Sequence, residues 1–118
     1  MVAIIVLDLI MNIIEEVKRL RFPLGQYVVI GSGTLAALGL RKAEDIDISV
    51  LPELYNALRR DGNWEEEERY GKIFLKRHNV EINPQLHWDG YPTTIEEAIA
   101  SALVIEGVPF MSIEELMR

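Results

Sequence analysis

Asp45 and Asp47 stand two positions apart at the start of a segment, 46–50, in which apolar and polar residues alternate. Residues two apart on a β-strand project from the same face, so these two carboxylates would lie side by side. Neighbouring carboxylates repel each other unless a cation sits between them or water surrounds them. Oxygen ligands at this spacing suit Mg²⁺, which takes one or two carboxylates together with substrate phosphate oxygens. The pair therefore predicts a magnesium site, and a solvent-facing strand start is the competing interpretation.

A glycine-rich turn, Gly31-Ser32-Gly33, separates an apolar run at 27–30 from helix-forming residues at 34–38. Glycine lets backbone amides approach a ligand closely. The N-terminus of a helix offers free N–H groups and a partial positive charge, both of which suit phosphate, and Ser32 adds a hydroxyl donor. We expect this turn to bind nucleotide phosphates, although a plain tight turn would explain the same residues without a ligand.

Glu81 lies between Val80 and Ile82 in a short segment whose β-branched residues indicate a strand. A glutamate in this setting is usually the outward-facing residue of an amphipathic strand. If its strand lies beside the strand of Asp47, Glu81 instead supplies a third carboxylate. It would then be a metal ligand or the general base that takes a proton from an attacking hydroxyl.

These features follow one another in an order that resembles the signature of the nucleotidyltransferase superfamily. The resemblance rests on residues 28–32 (Val-Val-Ile-Gly-Ser), a spacer of twelve residues, and residues 45–48 (Asp-Ile-Asp-Ile). Glu81 matches the third carboxylate that the superfamily carries on a later strand. Residues 108–116 are similar to a segment that closes the core in some bacterial and archaeal members. The resemblance spans residues 27–116, which is most of the chain.

The resemblance implies a magnesium-dependent transfer of a nucleoside monophosphate from a nucleoside triphosphate to a hydroxyl acceptor on a small molecule or a protein. Asp45, Asp47 and Glu81 would hold the magnesium, and Glu81 would also orient or deprotonate the acceptor. The turn at 31–33 would cradle the phosphates. Two alternatives stay open: a regulatory protein-binding member, such as the antitoxin of a toxin–antitoxin pair, and a degenerate member without activity.

Composition limits the other classes of function. With 118 residues we expect one domain, 1–118. The absence of cysteine excludes a thiol nucleophile and fits a reducing cytoplasm. A net charge of -7 argues against binding long nucleic acid. The apolar start at 1–14 is too short for a membrane span, which needs about 20 residues. Its apolar character favours a homodimer or a small helical protein partner.

The pattern of apolar residues predicts the elements that must position these side chains. We expect an N-terminal helix within 1–22, strands at 27–30, 46–50, 72–76 and 80–82, and an extended piece at 108–110. Further helices are expected at 34–38, at 52–60, from Thr94 to about Ile105, and from Ser112. The acidic run 65–68 is interpreted as a solvated loop or a strand edge. The expected fold is α/β (α+β): a small mixed sheet of about four or five strands flanked by helices, of nucleotidyltransferase type.

Overall fold

The structure is a computed structural model that describes residues 12–30, 46–84 and 93–112. Residues 12–20 are helical and are called α1 here. The other described elements are β1 (Tyr27–Ile30), β2 (Ile46–Val50), α2 (Pro52–Asp61), β3 (Glu65–Arg69), β4 (Lys72–Arg77), β5 (Val80–Asn83), α3 (Ile95–Ala100), β6 (Leu103–Ile105) and β7 (Val108–Phe110). The predicted turn at 31–33, the helix at 34–38, Asp45 and the helix body after Ser112 lie outside the described residues.

One mixed sheet contains the seven described strands, in the order β3-β4-β5-β2-β1-β7-β6. Neighbours in this order are antiparallel except for two parallel pairs, β2 with β5 and β1 with β7. Strands of both orientations share one sheet and helices pack against it, which makes the fold α+β. Residues paired across β2 and β5 project from the same face of the sheet, as register partners do in any pair of neighbouring strands.

The two faces of the sheet differ in their cover. On one face, apolar strand residues pack against α1 and α2 in a cluster that includes Ile14, Ile48 and Leu54. On the opposite face, Val28 and Ile30 pack against α3 and Met111. The alternation of side chains along β2 and β5 thus sends Ile48 and Ile82 into the larger core and leaves their polar neighbours on the second face.

Local sequence explains where several elements begin and turn. Pro52 occupies the first turn of α2, where the missing N–H costs nothing. Thr94 and Glu97 form the expected capping box at the start of α3. The β3–β4 and β6–β7 connections are two-residue turns, Tyr70-Gly71 and Glu106-Gly107, in which every residue has a positive φ. Such turns match the twist of a β-hairpin.

The structure confirms the strands predicted at 27–30, 46–50, 72–76 and 80–82 and the helix predicted at 52–60, within one residue at each end. The prediction of a helix extending from Thr94 to about Ile105 is wrong. The helix ends at Ala100, and Leu103–Ile105 forms β6, paired with β7. Gly107 completes the hairpin turn between β6 and β7 at φ 82°. A run containing Val104 and Ile105 favours a strand once a neighbouring strand is available.

The expected sheet of four or five strands is also too small, since seven strands are described. The two additional strands are β6 and β3, and β3 turns the acidic run 65–68 into an edge strand. Within the part of the chain that the structure describes, no helix is both long enough and apolar enough to cross a bilayer.

Candidate functional site

Asp47 and Glu81 are direct neighbours across the parallel strands β2 and β5. Register partners in a parallel pair project from the same face and stand about 4.8 Å apart along the hydrogen-bonding direction. Both side chains are partly buried, and the side chain of Glu81 is 12% exposed. The structure therefore brings together two of the three carboxylates that the sequence singles out. The third, Asp45, lies outside the described residues.

Asp47 and Glu81 have further register partners on the neighbouring strands β1 and β4. Lys76 of β4 is the register partner of Glu81, and Ile30 of β1 is the register partner of Asp47. We call Lys76, Glu81 and Asp47 the charged row. Ile30 is the last residue of β1, and Asp47 is the second residue of β2. Because these two residues are register partners, the end of β1, which precedes residue 31, and the start of β2, which follows residue 45, lie at the same end of the sheet.

The carboxylate of Glu81 is held by two cations. Nη2 of Arg69 donates a hydrogen bond to Oε1, and Nζ of Lys76 lies 4.0 Å from Oε2. Glu67 bridges the same two cations, with Oε1 3.4 Å from Nε of Arg69 and Oε2 3.5 Å from Nζ of Lys76. Two acidic and two basic side chains thus form a closed network of zero net charge, and Asp47 lies beside it.

Arg69 is the best-held member of this network. Its guanidinium carbon lies 4.4 Å from the centre of the Phe74 ring, a distance at which a cation–π contact is favourable. Its Nε is buried and makes no hydrogen bond, although the Glu67 carboxylate is close enough to form an ion pair. Burial lowers the pKa of Arg69, but the hydrogen bond and charge of Glu81, with the charge of Glu67, outweigh it and leave that pKa raised. Arg69 is therefore cationic at any physiological pH.

Burial separates Glu81 from the other members of the network. The side chains of Arg69, Lys76 and Glu67 are 36%, 36% and 45% exposed, three or more times the exposed fraction of Glu81. Ion pairs between groups this exposed contribute about 0–1 kcal/mol to stability because water screens them. The network therefore does more to fix the orientation of one partly buried carboxylate than to stabilise the fold.

Polar residues continue along the same face of β2 and β5, two positions beyond Asp47 and Glu81. Ser49 and Asn83, the next residues of β2 and β5 on this face, are register partners and are both buried. Buried polar side chains in proteins are normally hydrogen-bonded, and Ser49 has such a partner. The second face of β2 and β5 is thus polar along its length rather than a second apolar core.

The donor types in the charged row fit magnesium, since Asp47 and Glu81 offer only oxygen ligands. Among residues 12–30, 46–84 and 93–112, no group of three or more histidine, aspartate, glutamate or cysteine side chains is placed to hold a metal ion. A complete set would need a ligand from elsewhere in the chain, and Asp45 is the sequence candidate. It would also need Glu81 to give up its contacts with Arg69 and Lys76.

Two clefts lie away from the charged row, beside α1. One, of about 310 Å³, is lined by residues that include Phe22, Trp64 and His78, and the other, of about 380 Å³, by residues that include Asn12 and Asn79. Neither contains a residue that the sequence singles out for chemistry. We favour the charged row as the site because it combines neighbouring carboxylates with cations, whereas the clefts are open grooves between α1 and the strand ends.

Arg69 and Lys76 are functional-site residues that the sequence did not predict. Both lie next to Glu81 only because β3, β4 and β5 are adjacent in the sheet. The available signal was the alternation along β4 of basic Lys72 and Lys76 with apolar Ile73 and Leu75, opposite an acidic strand. Cross-strand pairs of opposite charge are favourable, so this alternation predicts that 65–69 pairs with β4.

The comparisons with known proteins add no assignment: no protein-family model, curated protein or solved structure matches the chain. Function must therefore be argued from the charged row itself.

Proposed function

We propose that the chain is a small magnesium-dependent nucleotidyltransferase domain that transfers a nucleoside monophosphate from a nucleoside triphosphate to a hydroxyl. The observation that carries the proposal is the pairing of Asp47 with Glu81 on parallel strands, level with the last residue of β1. This is the juxtaposition that the signature-like motif requires. A nucleotidyltransferase-type arrangement of the sheet is part of the proposal.

The roles of the residues follow from their chemistry. Asp45, Asp47 and Glu81 would hold magnesium, which when bound would supply positive charge to the phosphates. Backbone amides of the turn at 31–33 bind the phosphates that leave as pyrophosphate. The acceptor oxygen forms a bond to the α-phosphorus while the bond to the pyrophosphate oxygen breaks, and the hydroxyl proton passes to a carboxylate oxygen of Glu81. The protein's contribution is positioning and fixed charge.

Calorimetric titration with a nucleoside triphosphate tests this proposal. The wild-type protein is expected to bind the nucleotide only when magnesium is present. Asp47→Asn removes one carboxylate charge, so its affinity should fall at least about tenfold, or ~1.4 kcal/mol. Asp61→Asn is the matched control, because it makes the same chemical change at an exposed position that lines the cleft beside α1.

Two outcomes would overturn the proposal. In the first, the wild-type protein binds no nucleoside triphosphate with or without magnesium. In the second, Asp61→Asn weakens binding as much as Asp47→Asn does, which would move the nucleotide from the charged row to the cleft.

A second candidate function is protein binding without catalysis, as in a regulatory or antitoxin-like partner. It is favoured by Leu103 and Val104 of β6, which are 53% and 59% exposed on the last strand of the described sheet. Exposed apolar side chains on an edge strand suit pairing with another chain. A protein that binds no nucleotide, and whose self-association in sedimentation velocity is abolished by Val104→Lys, would support this function over the first.

A further inference from the structure

We infer that strand β6 is the contact surface of a dimer of this chain: β6 pairs antiparallel with β6 of a second copy, and Val104 lies on the twofold axis. The inference goes beyond the proposed function and holds whether or not the chain binds a nucleotide. β6 is the last strand of the described sheet on the side opposite β3, and no described strand lies beyond it.

The hydrogen bonds of the neighbouring strand show which way the backbone of β6 points. The N–H of Met111, directly after β7, donates to the oxygen of Val29 at 2.8 Å and so points towards β1. Backbone groups alternate in direction along a strand, so those of Pro109 also point towards β1. Val104 is the register partner of Pro109, in a pair that is not hydrogen-bonded. The N–H and C=O of Val104 therefore point outward, away from β7.

The side chains of β6 are open on both faces of the sheet. Leu103 is 53% exposed and Val104 is 59% exposed. Consecutive residues of a strand project from opposite faces, so a single covering helix would not protect both. A strand added at this edge would cover both side chains and would also pair with the outward backbone groups.

The sequence of β6 is complementary to itself. In an antiparallel pair centred on Val104, Leu103 lies opposite Ile105 of the second copy, and none of these residues is charged. Glu106 follows β6 and lies opposite Ala102 of the second copy, so the twofold axis brings no like charges together. The two Val104 residues exchange two N–H···O bonds across the axis. These features favour a second copy of this chain as the partner.

The other edge of the described sheet is a poorer partner for β6. Strand β3 contains four consecutive glutamates, and β6 contains no cation that could pair with them. Pairing β6 with β3 would remove water from these carboxylates without supplying opposite charge, which is unfavourable. The symmetric contact between two β6 strands is therefore favoured over a head-to-tail contact.

Sedimentation velocity of the full chain tests the inference. The contact is small, so we expect a weak dimer that becomes visible at protein concentrations on the order of 100 µM. Val104→Pro removes the outward N–H and should weaken the association at least about tenfold. Proline is tolerated on an edge strand where the N–H faces solvent, so the circular dichroism spectrum should stay native.

Glu68→Pro is the matched control at the opposite edge of the described sheet. The two-residue turn between β3 and β4 closes on the pair formed by Arg69 and Lys72. Glu68, one residue before that pair, therefore also points its N–H outward, away from β4. This variant should associate as the wild type does.

Two charged variants test the register without using proline. Because Val104 lies opposite its own copy, Val104→Lys and Val104→Glu should each stay monomeric, since like charges would face each other across the axis. Mixed in equal amounts, the two variants should form a heterodimer, with an association at least about tenfold tighter than that of either variant alone.

Three results would overturn the inference. The wild-type protein stays monomeric at the stated concentration; Val104→Pro keeps the native spectrum and associates as tightly as Glu68→Pro; or the two charged variants do not pair when mixed. Where Val104→Pro loses the native spectrum, the charged variants alone decide. The nucleotide titration is a separate measurement, so the dimer and the proposed function can fail independently.

Discussion

The β3–β4 and β6–β7 hairpins lie at opposite ends of the strand order and turn through the same kind of two-residue loop. In Tyr70-Gly71 the φ angles are 54° and 75°, and in Glu106-Gly107 they are 51° and 82°. The strands that these turns join differ in chemistry. No residue of β3 is buried, whereas all three residues of β7 are. The turns set the strand register of each hairpin. The side chains of its strands determine whether a hairpin forms an ion-pair network or packs into the core.

This difference has a functional counterpart. The β3–β4 hairpin supplies Arg69, Lys76 and Glu67 to the polar face, while the β6–β7 hairpin supplies Val108 and Phe110 to the core. Strand β3 contributes no buried residue, so it can exchange contacts at small cost because few apolar contacts resist the motion, whereas Leu75 of β4 anchors the hairpin in the core.

The largest effect separating the hairpins should come from their phenylalanines. Phe110 is 1% exposed, so Phe110→Ala should lower the free energy of unfolding by about 3–5 kcal/mol through lost burial and a cavity. Phe74 is only partly buried, and Phe74→Ala should cost about 1 kcal/mol. Urea unfolding followed by circular dichroism measures the free energy of unfolding of both variants. Equal losses of that free energy would contradict the difference in burial between the two hairpins.

An intermediate effect should come from the two turn glycines, and it should be the same in both hairpins. A Cβ added at Gly71 or Gly107 meets no atom within 4 Å, so the cost of alanine is the positive φ alone. We expect Gly71→Ala and Gly107→Ala each to lower the free energy of unfolding by about 1 kcal/mol. A clearly larger loss at one of them, measured by the same urea titration, would show that the turns are not equivalent.

The smallest effect should come from the exposed ion pair between Arg59 of α2 and Glu66 of β3. Nε of Arg59 lies 3.1 Å from Glu66 Oε2, and both side chains are well exposed. Such pairs are screened by water and salt. Arg59→Gln should therefore leave the urea midpoint unchanged at both low and high ionic strength. A salt-dependent shift of that midpoint would show that charge on β3 does stabilise the hairpin.

The sequence predicts the elements that carry their own local pattern. Strands β1, β2 and β5 alternate or cluster β-branched residues, and α2 begins with a proline at a compatible position. From the sequence, the adjacency of Asp47 and Glu81 is only a condition for a shared site, and the structure shows that their strands are neighbours. The metal and phosphate roles of these residues remain predictions.

The elements that the sequence misplaces depend on partners far along the chain. Four consecutive glutamates in β3 show no apolar alternation, and their strand exists through pairing with β4. The start of α3 is marked by its capping box, but no glycine or proline marks its end at Ser101, so the local pattern extends it too far. Arg69 could not be assigned at all from local sequence, because its contact with Glu81 requires two intervening strand pairings.

The glutamates of β3 also limit how copies of this sheet could join edge to edge. Two β3 edges brought together would face each other with like charges, which disfavours strand pairing. Two β6 edges would not, since Leu103–Ile105 carries no charge. Joining through β6 would leave a β3 strand at each outer end of the described sheet, so growth would stop at two copies. The glutamates of β3 would therefore disfavour further edge-to-edge growth of the described sheet.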